Sequence, residues 1–233
     1  MESVKIGIIG AMEEEVRTIA ANLENRKEQE IAGCYFYEGN LYGKEVILMQ
    51  SGIGKVNAAI GTTLMIELYK PDVVVNSGVA GGLDRTMSVG DLVISTEVRY
   101  NDVDATVFGY EFGQVPAMPA AYKADEKTHE AVLAAAKKNR IDVKSGLVLS
   151  GDSFMNDEER IAMIKEAFPD ALCTEMEAGA IAQVAHRFGC PFLIIRALSD
   201  IAGDEAIHSY ESFLDTTAKI SADLVQTIIQ DLQ

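Results

Sequence analysis

Short apolar runs that alternate with helical patterns constrain the fold of this chain more than any other feature. Phe192–Asp200 (FLIIRALSD) is the clearest run: it is almost continuously apolar, contains one arginine and ends on a serine and an acid. A run of this kind is typical of a strand covered on both faces, as inside parallel sheets. Val4–Ile9 and Asp72–Ser77 have the same character. The alternation predicts one α/β domain over residues 1–233, with a mostly parallel mixed central sheet flanked by helices.

The segments between these runs complete the predicted order of elements. Cys34–Glu38 and Glu45–Met49 are expected to form a hairpin, and a long helix is predicted over Lys55–Tyr69, before Pro71. Tyr100–Tyr122 is irregular and too long for an ordinary connection, which favours a functional loop. The last helix is expected to face the core with a stripe of residues at helical spacing, namely Phe213, Thr217, Ile220, Leu224 and Ile228.

Charge and cysteine content limit the partners and the compartment. The chain has 36 acidic and 20 basic residues and a net charge of −16. It would repel phosphate backbones and anionic lipids, so we expect no nucleic acid and no membrane as partner, whereas a nucleoside without phosphates is compatible. The simpler interpretation is that the acidity keeps the protein in solution. Three dispersed cysteines without a CxxC, together with an N-terminus unlike a signal peptide, predict a cytoplasmic protein.

Polar residues recur where the predicted strands end. Glycines, hydroxyls or acids follow six predicted strands, so they should meet along one edge of the sheet and outline a single cleft. The six segments are Gly10–Glu15, Ser51–Gly54, Gly78–Gly82, Ser150–Met155, Glu175–Glu177 and Ser199–Asp200.

Phosphate-binding and metal-binding motifs are missing from the sequence. Around Lys55 the Walker spacing would require a glycine where Met49 stands, and no GxGxxG occurs. The histidines show no metal-ligand spacing. We therefore disfavour a dinucleotide dehydrogenase and expect neither a cofactor nor a metal.

Each acid at the predicted cleft also has an interpretation without catalysis. Glu13, Glu14 and Glu15 lie in a first helical turn, where carboxylates favour the helix dipole. Asp200 could be a helix N-cap. Glu177 is harder to explain in this way, because it opens an apolar helix where an unpaired charge would be costly.

Several motifs together resemble the bacterial 5′-methylthioadenosine/S-adenosylhomocysteine nucleosidases, which have a purine nucleoside phosphorylase-like fold. The resemblance spans the chain in order. Its motifs are Lys5–Val16 (KIGIIGAMEEEV), Ser51–Lys55 (SGIGK), Gly78–Gly82, Gly151–Phe154 (GDSF), Glu175–Ala178 (EMEA) and Arg196–Asp200 (RALSD). It implies an N-glycosidic hydrolase that releases adenine and either 5′-methylthioribose or S-ribosylhomocysteine, acts also on 5′-deoxyadenosine, and serves methionine salvage and methyl-cycle recycling.

The resemblance also assigns roles to residues of this chain. Glu15 would be the base that polarises the attacking water, and Asp200 the acid that protonates adenine at N7. Glu177 would bind the ribose hydroxyls. The other implied contacts to the substrate involve Met12, Ile53, Ala80, Gly81, Phe154, Met155, Met176, Arg196 and Ser199, with Arg196 and Ser199 supporting the acid segment.

A homodimer is implied as well. Phe108 and Pro116, in the irregular stretch, would reach the partner's site and line the pocket for the 5′-alkylthio tail. Val79 departs from the pattern, since relatives often carry a small hydroxyl residue there.

Two other functions are compatible with these residues. A nucleoside phosphorylase would need a cationic phosphate pocket, and among the edge motifs only Arg196 offers a positive charge near a strand end. A non-catalytic purine-binding module is disfavoured by the presence of Glu15, Glu177 and Asp200.

Overall fold

The computed structural model describes residues 4–203 and 206–231, which form ten strands and six α-helices. The strands are β1 (Lys5–Gly10), β2 (Glu24–Ile31), β3 (Cys34–Leu41), β4 (Lys44–Gln50), β5 (Val73–Gly82), β6 (Leu92–Tyr100), β7 (Tyr122–Lys123), β8 (Val143–Ser150), β9 (Ala171–Glu175) and β10 (Phe192–Ile201). The helices are α1 (Glu13–Asn22), α2 (Lys55–Tyr69), α3 (Glu126–Lys138), α4 (Glu158–Ala167), α5 (Ala178–Phe188) and α6 (Ala206–Asp231).

All the strands join one sheet, part of which closes on itself. β5 pairs with β10, β10 with β6, β6 with β8, β8 with β9, and β9 again with β5. β1, β4, β3 and β2 extend the sheet from β5. The predicted α/β class and mixed sheet are confirmed. Within the described residues, however, antiparallel pairs are as numerous as parallel ones, so the sheet is more evenly mixed than expected.

Buried side chains alternate between the two faces of the strands, because successive residues of a strand point in opposite directions. Val73, Val75, Leu193 and Ile195 pack with α1, α3 and α6, whereas Val74 and Ile194 pack with α2 and α5. Because both faces of these strands contact apolar side chains, their sequences are continuously apolar and do not alternate between apolar and polar residues.

Three expectations differ from the structure. β2 lies where no strand was expected; its sequence ENRKEQEI is charged and almost wholly exposed at the edge of the sheet. Phe213 does not face the core, since it is 45% exposed, although Thr217, Leu224 and Ile228 are buried as predicted. Gly78–Gly82 and Ser199–Asp200 lie inside β5 and β10, within their carboxyl-terminal halves, and do not follow these strands.

The irregular stretch between β6 and β7 is confirmed as mainly a loop, with one 3₁₀ turn at Thr106–Phe108. No helix of the described residues is long and apolar enough to cross a membrane.

Candidate active site

A cavity of about 180 Å³ lies at the carboxyl-terminal ends of the strands, where the sequence predicted a cleft. Its walls are formed by the carboxyl-terminal parts of β5, β9 and β10, by the segments that follow β1, β4, β8 and β9, and by one residue each of α1 and α6. The sequence-predicted residues that line it are Met12, Glu15, Ile53, Ala80, Gly81, Phe154, Met155, Met176, Glu177, Ser199 and Asp200.

Glu15 is the one acid of the first turn of α1 that turns inward. Its side chain is buried, whereas Glu13 is exposed. One carboxylate oxygen accepts hydrogen bonds from the backbone N–H groups of Ala11 (2.6 Å) and Met12 (3.1 Å), and the other from Val79 (2.9 Å). Burial raises the pKa of Glu15, while Arg196 and these N–H groups act in the opposite direction. The helix dipole alone therefore does not explain this residue.

Asp200 enters the cavity because β10 is irregular. The register between β10 and β5 shifts between Leu198 and Asp200, so Ser199 has no partner in this pairing. Such a bulge bends the strand and redirects a side chain. The Ser199 hydroxyl donates to Asp200 Oδ1 at 2.7 Å, and burial raises the pKa of Asp200. Asp200 is part of a strand, so the alternative that it is only a helix N-cap is wrong.

Glu177 is buried at the N-terminus of α5, where it contacts the segment that follows β4 and the end of β9. Its Oε1 accepts a hydrogen bond from the backbone N–H of Gly54 at 2.8 Å. Burial and the nearby charge of Glu175 raise the pKa of Glu177 to about 8. The Glu175 carboxylate accepts hydrogen bonds from the backbone N–H groups of Glu177 (3.0 Å) and Ala178 (2.9 Å), and so caps α5.

Arg196 lies below the cavity wall, and its position differs from the expectation. The guanidinium is fully buried and pairs with Glu175 and Asn76; it also lies 3.7 Å from Glu15 Oε1 and 3.6 Å from Glu177 Oε2. It therefore links the glutamates, whereas the predicted support of the Asp200 segment comes from Ser199. Its Nη1 has no hydrogen-bond partner among the described residues.

Two further predicted residues lie outside this chain's own cavity. Phe108 is 80% exposed on the 3₁₀ turn, and Pro116 is exposed further along the same loop. Both are therefore accessible to another molecule.

Sequence reasoning assigned no role to several lining residues: Ala11, Ser153, Thr174, Glu175 and Tyr210. Glu175 had a usable signal, an acid at the end of a predicted strand. Tyr210 had none, because its place on α6 over the cavity depends on tertiary packing, where its ring meets Phe154 edge-on at 5.6 Å.

The cavity is apolar and acidic in character. Of the described residues that line it, none is lysine, arginine or histidine. Across the described residues, no group of three or more potential ligands is arranged to hold a metal ion. The site can bind a flat apolar ring near Phe154 and Met155, and besides Glu175, which caps α5, it offers the carboxyl groups of Glu15, Glu177 and Asp200 for proton transfer and for stabilising positive charge.

Comparison with known proteins identifies close relatives. The family model described as the phosphorylase superfamily matches residues 5–230. A 5′-methylthioadenosine/S-adenosylhomocysteine nucleosidase of Halalkalibacterium halodurans is 60% identical over 225 residues, which is 97% of either chain. The Neisseria meningitidis nucleosidase, solved with methylthio-immucillin-A, is 44% identical with a TM-score of 0.96, covering 98% of this chain and 99% of that one. The Colwellia psychrerythraea enzyme, solved with adenine, is 45% identical with a TM-score of 0.95, covering 99% of this chain and 96% of that one.

Proposed function

The chain belongs to the 5′-methylthioadenosine/S-adenosylhomocysteine nucleosidases within the phosphorylase superfamily, and on this premise we propose how its cavity hydrolyses the N-glycosidic bond of these nucleosides. The observation that carries the proposal is that three buried carboxyl groups in different surroundings, Glu15, Glu177 and Asp200, line one cavity. The products are adenine and 5′-methylthioribose or S-ribosylhomocysteine.

Asp200 is the proton donor to the purine. Breaking the glycosidic bond leaves negative charge on the base, and a proton at N7 neutralises it. Burial raises the pKa of Asp200, and only the hydrogen bond from the Ser199 hydroxyl opposes the rise. Glu15, by contrast, has Arg196 and three backbone N–H groups that favour the ionised form. Burial raises the pKa of both acids, but more partners oppose the rise at Glu15, so the arrangement favours an ionised Glu15 beside a protonated Asp200, as an acid and a base in one site require.

Glu15 and Arg196 hold the attacking water. A buried guanidinium nitrogen without a partner is unusual in a folded protein, and a water molecule bridging Arg196 Nη1 and Glu15 would satisfy it. Glu15 then accepts a proton from this water as it attacks the sugar. Glu177 binds the ribose hydroxyls, and in its ionised form, which prevails above its raised pKa of about 8, it stabilises the positive charge that develops on the ring.

The base and sugar contacts use the remaining lining residues. Phe154 stacks on adenine, and the backbone of Met155 contacts the edge of the base. Met176 packs against the sugar. Gly81 and Ala80 let the main chain approach the nucleoside, while Met12 and Ile53 lie at the cavity wall.

Hydrolysis is favoured over phosphorolysis by charge. Phosphate would need a free cation, and Arg196, the one candidate from the sequence, is surrounded by Glu15, Glu175 and Glu177. The test is to incubate the enzyme with 5′-methylthioadenosine with and without phosphate and to identify the sugar product. We expect 5′-methylthioribose at the same rate in both. A phosphorylated sugar that forms only with phosphate would overturn the proposal.

A homodimer completes the pocket for the 5′ tail. Large apolar side chains are exposed near the mouth of the cavity (Ile53, 50%), on α2 (Val56, 69%; Ile60, 41%) and on the loop turn (Val107, 84%; Phe108, 80%). Exposed apolar groups of this size are typical of an interface. In this assembly Phe108 and Pro116 reach the partner's tail pocket.

Sedimentation analysis tests the dimer. We expect the wild-type chain to sediment as a dimer and Val56→Glu to dissociate it. Phe108→Ala should leave the dimer intact and weaken binding of substrates with a 5′ tail. A monomeric wild type with full activity would refute this assembly.

We propose the cytoplasm as the compartment, because three dispersed cysteines without a CxxC suit a reducing environment.

A further inference from the structure

Three charged residues form a closed ring of hydrogen bonds beside the cavity. Lys55 Nζ donates to Asp102 Oδ2 at 2.8 Å, and the backbone N–H of Asp152 donates to the same oxygen at 2.9 Å. The backbone N–H of Lys55 donates to Asp152 Oδ1 at 2.8 Å. Each residue thus contacts the other two, and none of them lines the cavity.

The surroundings of this ring distinguish it from a surface ion pair. The side chains of Lys55 and Asp102 are only 25% and 16% exposed. Lys55 Nζ lies 5.2 Å from the centroid of the Tyr100 ring. The Asp152 carboxylate lies at the N-terminus of α2, where the helix dipole favours negative charge. Exposed pairs contribute little to structure, but a partly buried pair with several contacts fixes geometry.

The ring is directly connected to the carboxylate that we assign to the ribose. Gly54 immediately precedes Lys55, and its backbone N–H donates to Glu177 Oε1 at 2.8 Å. Gly54 has a φ of 94°, a conformation that favours glycine and leaves the N–H aimed away from α2. The position of this donor therefore depends on where Lys55 is held.

Two other segments that concern the substrate start from the same ring. Asp152 is followed by Ser153 and Phe154, which line the cavity. Asp102 lies at the root of the loop that carries Phe108. Gly151 keeps the segments close, because a Cβ there would approach Asp102 Cγ to 2.9 Å. The ring thus connects three segments: the one that carries the Gly54 donor to Glu177, the one that carries Phe154, and the loop that carries Phe108.

We propose that Lys55 and Asp102 are positioning residues that hold the Gly54 N–H against Glu177 and so determine how strongly the enzyme prefers a substrate with a ribose hydroxyl. The inference rests on the proposed function and deepens it. Without the ring, Gly54 moves relative to α5, and the Glu177 carboxylate loses its fixed hydrogen-bond donor. A misplacement of about 1 Å can reduce the rate roughly a hundredfold.

The experiment measures kcat/KM for 5′-methylthioadenosine and for its 3′-deoxy analogue with the full-length enzyme. Lys55→Met and Asp102→Asn are compared with the wild type. Lys138→Met is the matched control, because it removes a lysine from an ion pair with Asp231 at the far end of α6, and neither residue lines the cavity. Asp102→Asn preserves shape and can still accept the Asp152 N–H, so it stays informative if Lys55→Met does not fold. Circular dichroism checks folding.

We expect the wild type and Lys138→Met to share one preference for the 3′-hydroxyl substrate. In Lys55→Met and Asp102→Asn the preference should fall by at least about tenfold, with most of the loss on the hydroxyl-bearing substrate. If both variants lose activity equally on the two substrates, or keep wild-type kinetics, the inference is wrong. If the wild type releases no adenine from either nucleoside, the proposed function fails instead.

Discussion

A methyl group added at Gly78 should disable the site while leaving the fold in place. Gly78 lies in β5 directly beneath Glu15 and Arg196, and its backbone conformation is open to any residue. A Cβ at this position would come within 2.8 Å of Glu15 Cδ and closer still to Glu15 Oε1 and Arg196 Nη1. Gly78→Ala therefore acts on the pair that we assign to the attacking water.

The size of the effect follows from these distances. Carbon atoms in contact are about 3.5–4.0 Å apart, so Glu15 must retreat by roughly 1 Å. A displacement of this size can lower the rate about a hundredfold. Overpacking a core costs about 1–3 kcal/mol, and for a chain of this length each kcal/mol lowers Tm by about 2–4 °C. We expect Tm to fall by about 2–12 °C.

Adenine release at saturating substrate, together with a thermal melt, separates the two effects. Gly146→Ala is the matched control: its Cβ would meet Leu172 Cδ1 at 2.7 Å and Leu172 Cγ at 2.8 Å, outside the cavity. We expect Gly146→Ala to lose stability and keep kcat, and Gly78→Ala to lose both. If kcat of Gly78→Ala stays within a few-fold of the wild type, Glu15 and Arg196 do not position the water.

Three further substitutions test the charges and the base pocket. Because the pKa of Glu177 is about 8 in place of 4.5, its contribution to stability is present below pH 4.5 and is lost as the pH rises through 8. Glu177→Gln should therefore have a Tm several degrees above that of the wild type at pH 9. If the difference in Tm between the two proteins does not grow between pH 5 and pH 9, the buried charge on Glu177 does not destabilise the fold. Glu175→Gln keeps an oxygen to cap α5 but removes a negative charge, so the pKa of Glu177 should fall. The acidic limb of the pH profile of kcat/KM should then move to lower pH. A limb that does not move would contradict the effect of the Glu175 charge on Glu177. Phe154→Ala should raise KM about tenfold for all adenosine substrates, since stacking on a base contributes about 1–3 kcal/mol; an unchanged KM in initial-rate assays would exclude the stack.

The part of the fold that could be predicted from sequence is the part set by local pattern. Val73–Val75 and Phe192–Ile195 are buried on both faces, and their continuous apolar runs predicted this. The bounds of α2 were predicted as Lys55–Tyr69 because Gly52 and Gly54 precede its start and Pro71 follows its end. β2 could not be predicted, since an exposed edge strand is held by backbone pairing with β3 and needs no apolar side chains.

The site shows the same division. Glycines and acids near strand ends predicted which segments would meet, and Glu15, Glu177 and Asp200 line one cavity. The environment of each acid depends on distant contacts. The bulge at Ser199 and the burial of Arg196 among glutamates arise from the way β5 pairs with β10 on one side and with β9 on the other, and no local pattern encodes them.

The position of Phe213 shows a limit of helical periodicity. Its spacing placed it with Thr217 and Leu224, yet it is exposed while they are buried. A stripe on a long helix predicts which residues share a face, but the length of helix that the core covers depends on the other elements.

Adenine release by Asp200→Asn decides whether this aspartate is the proton donor. The amide keeps the shape of the side chain but has no acidic proton to give to N7. We expect the variant to fold and to bind 5′-methylthioadenosine, and its turnover to fall by at least about a hundredfold, the usual lower scale of acid–base catalysis. Asp215→Asn, which alters an exposed surface pair, should retain wild-type turnover. Near-wild-type adenine release by Asp200→Asn would contradict the mechanism.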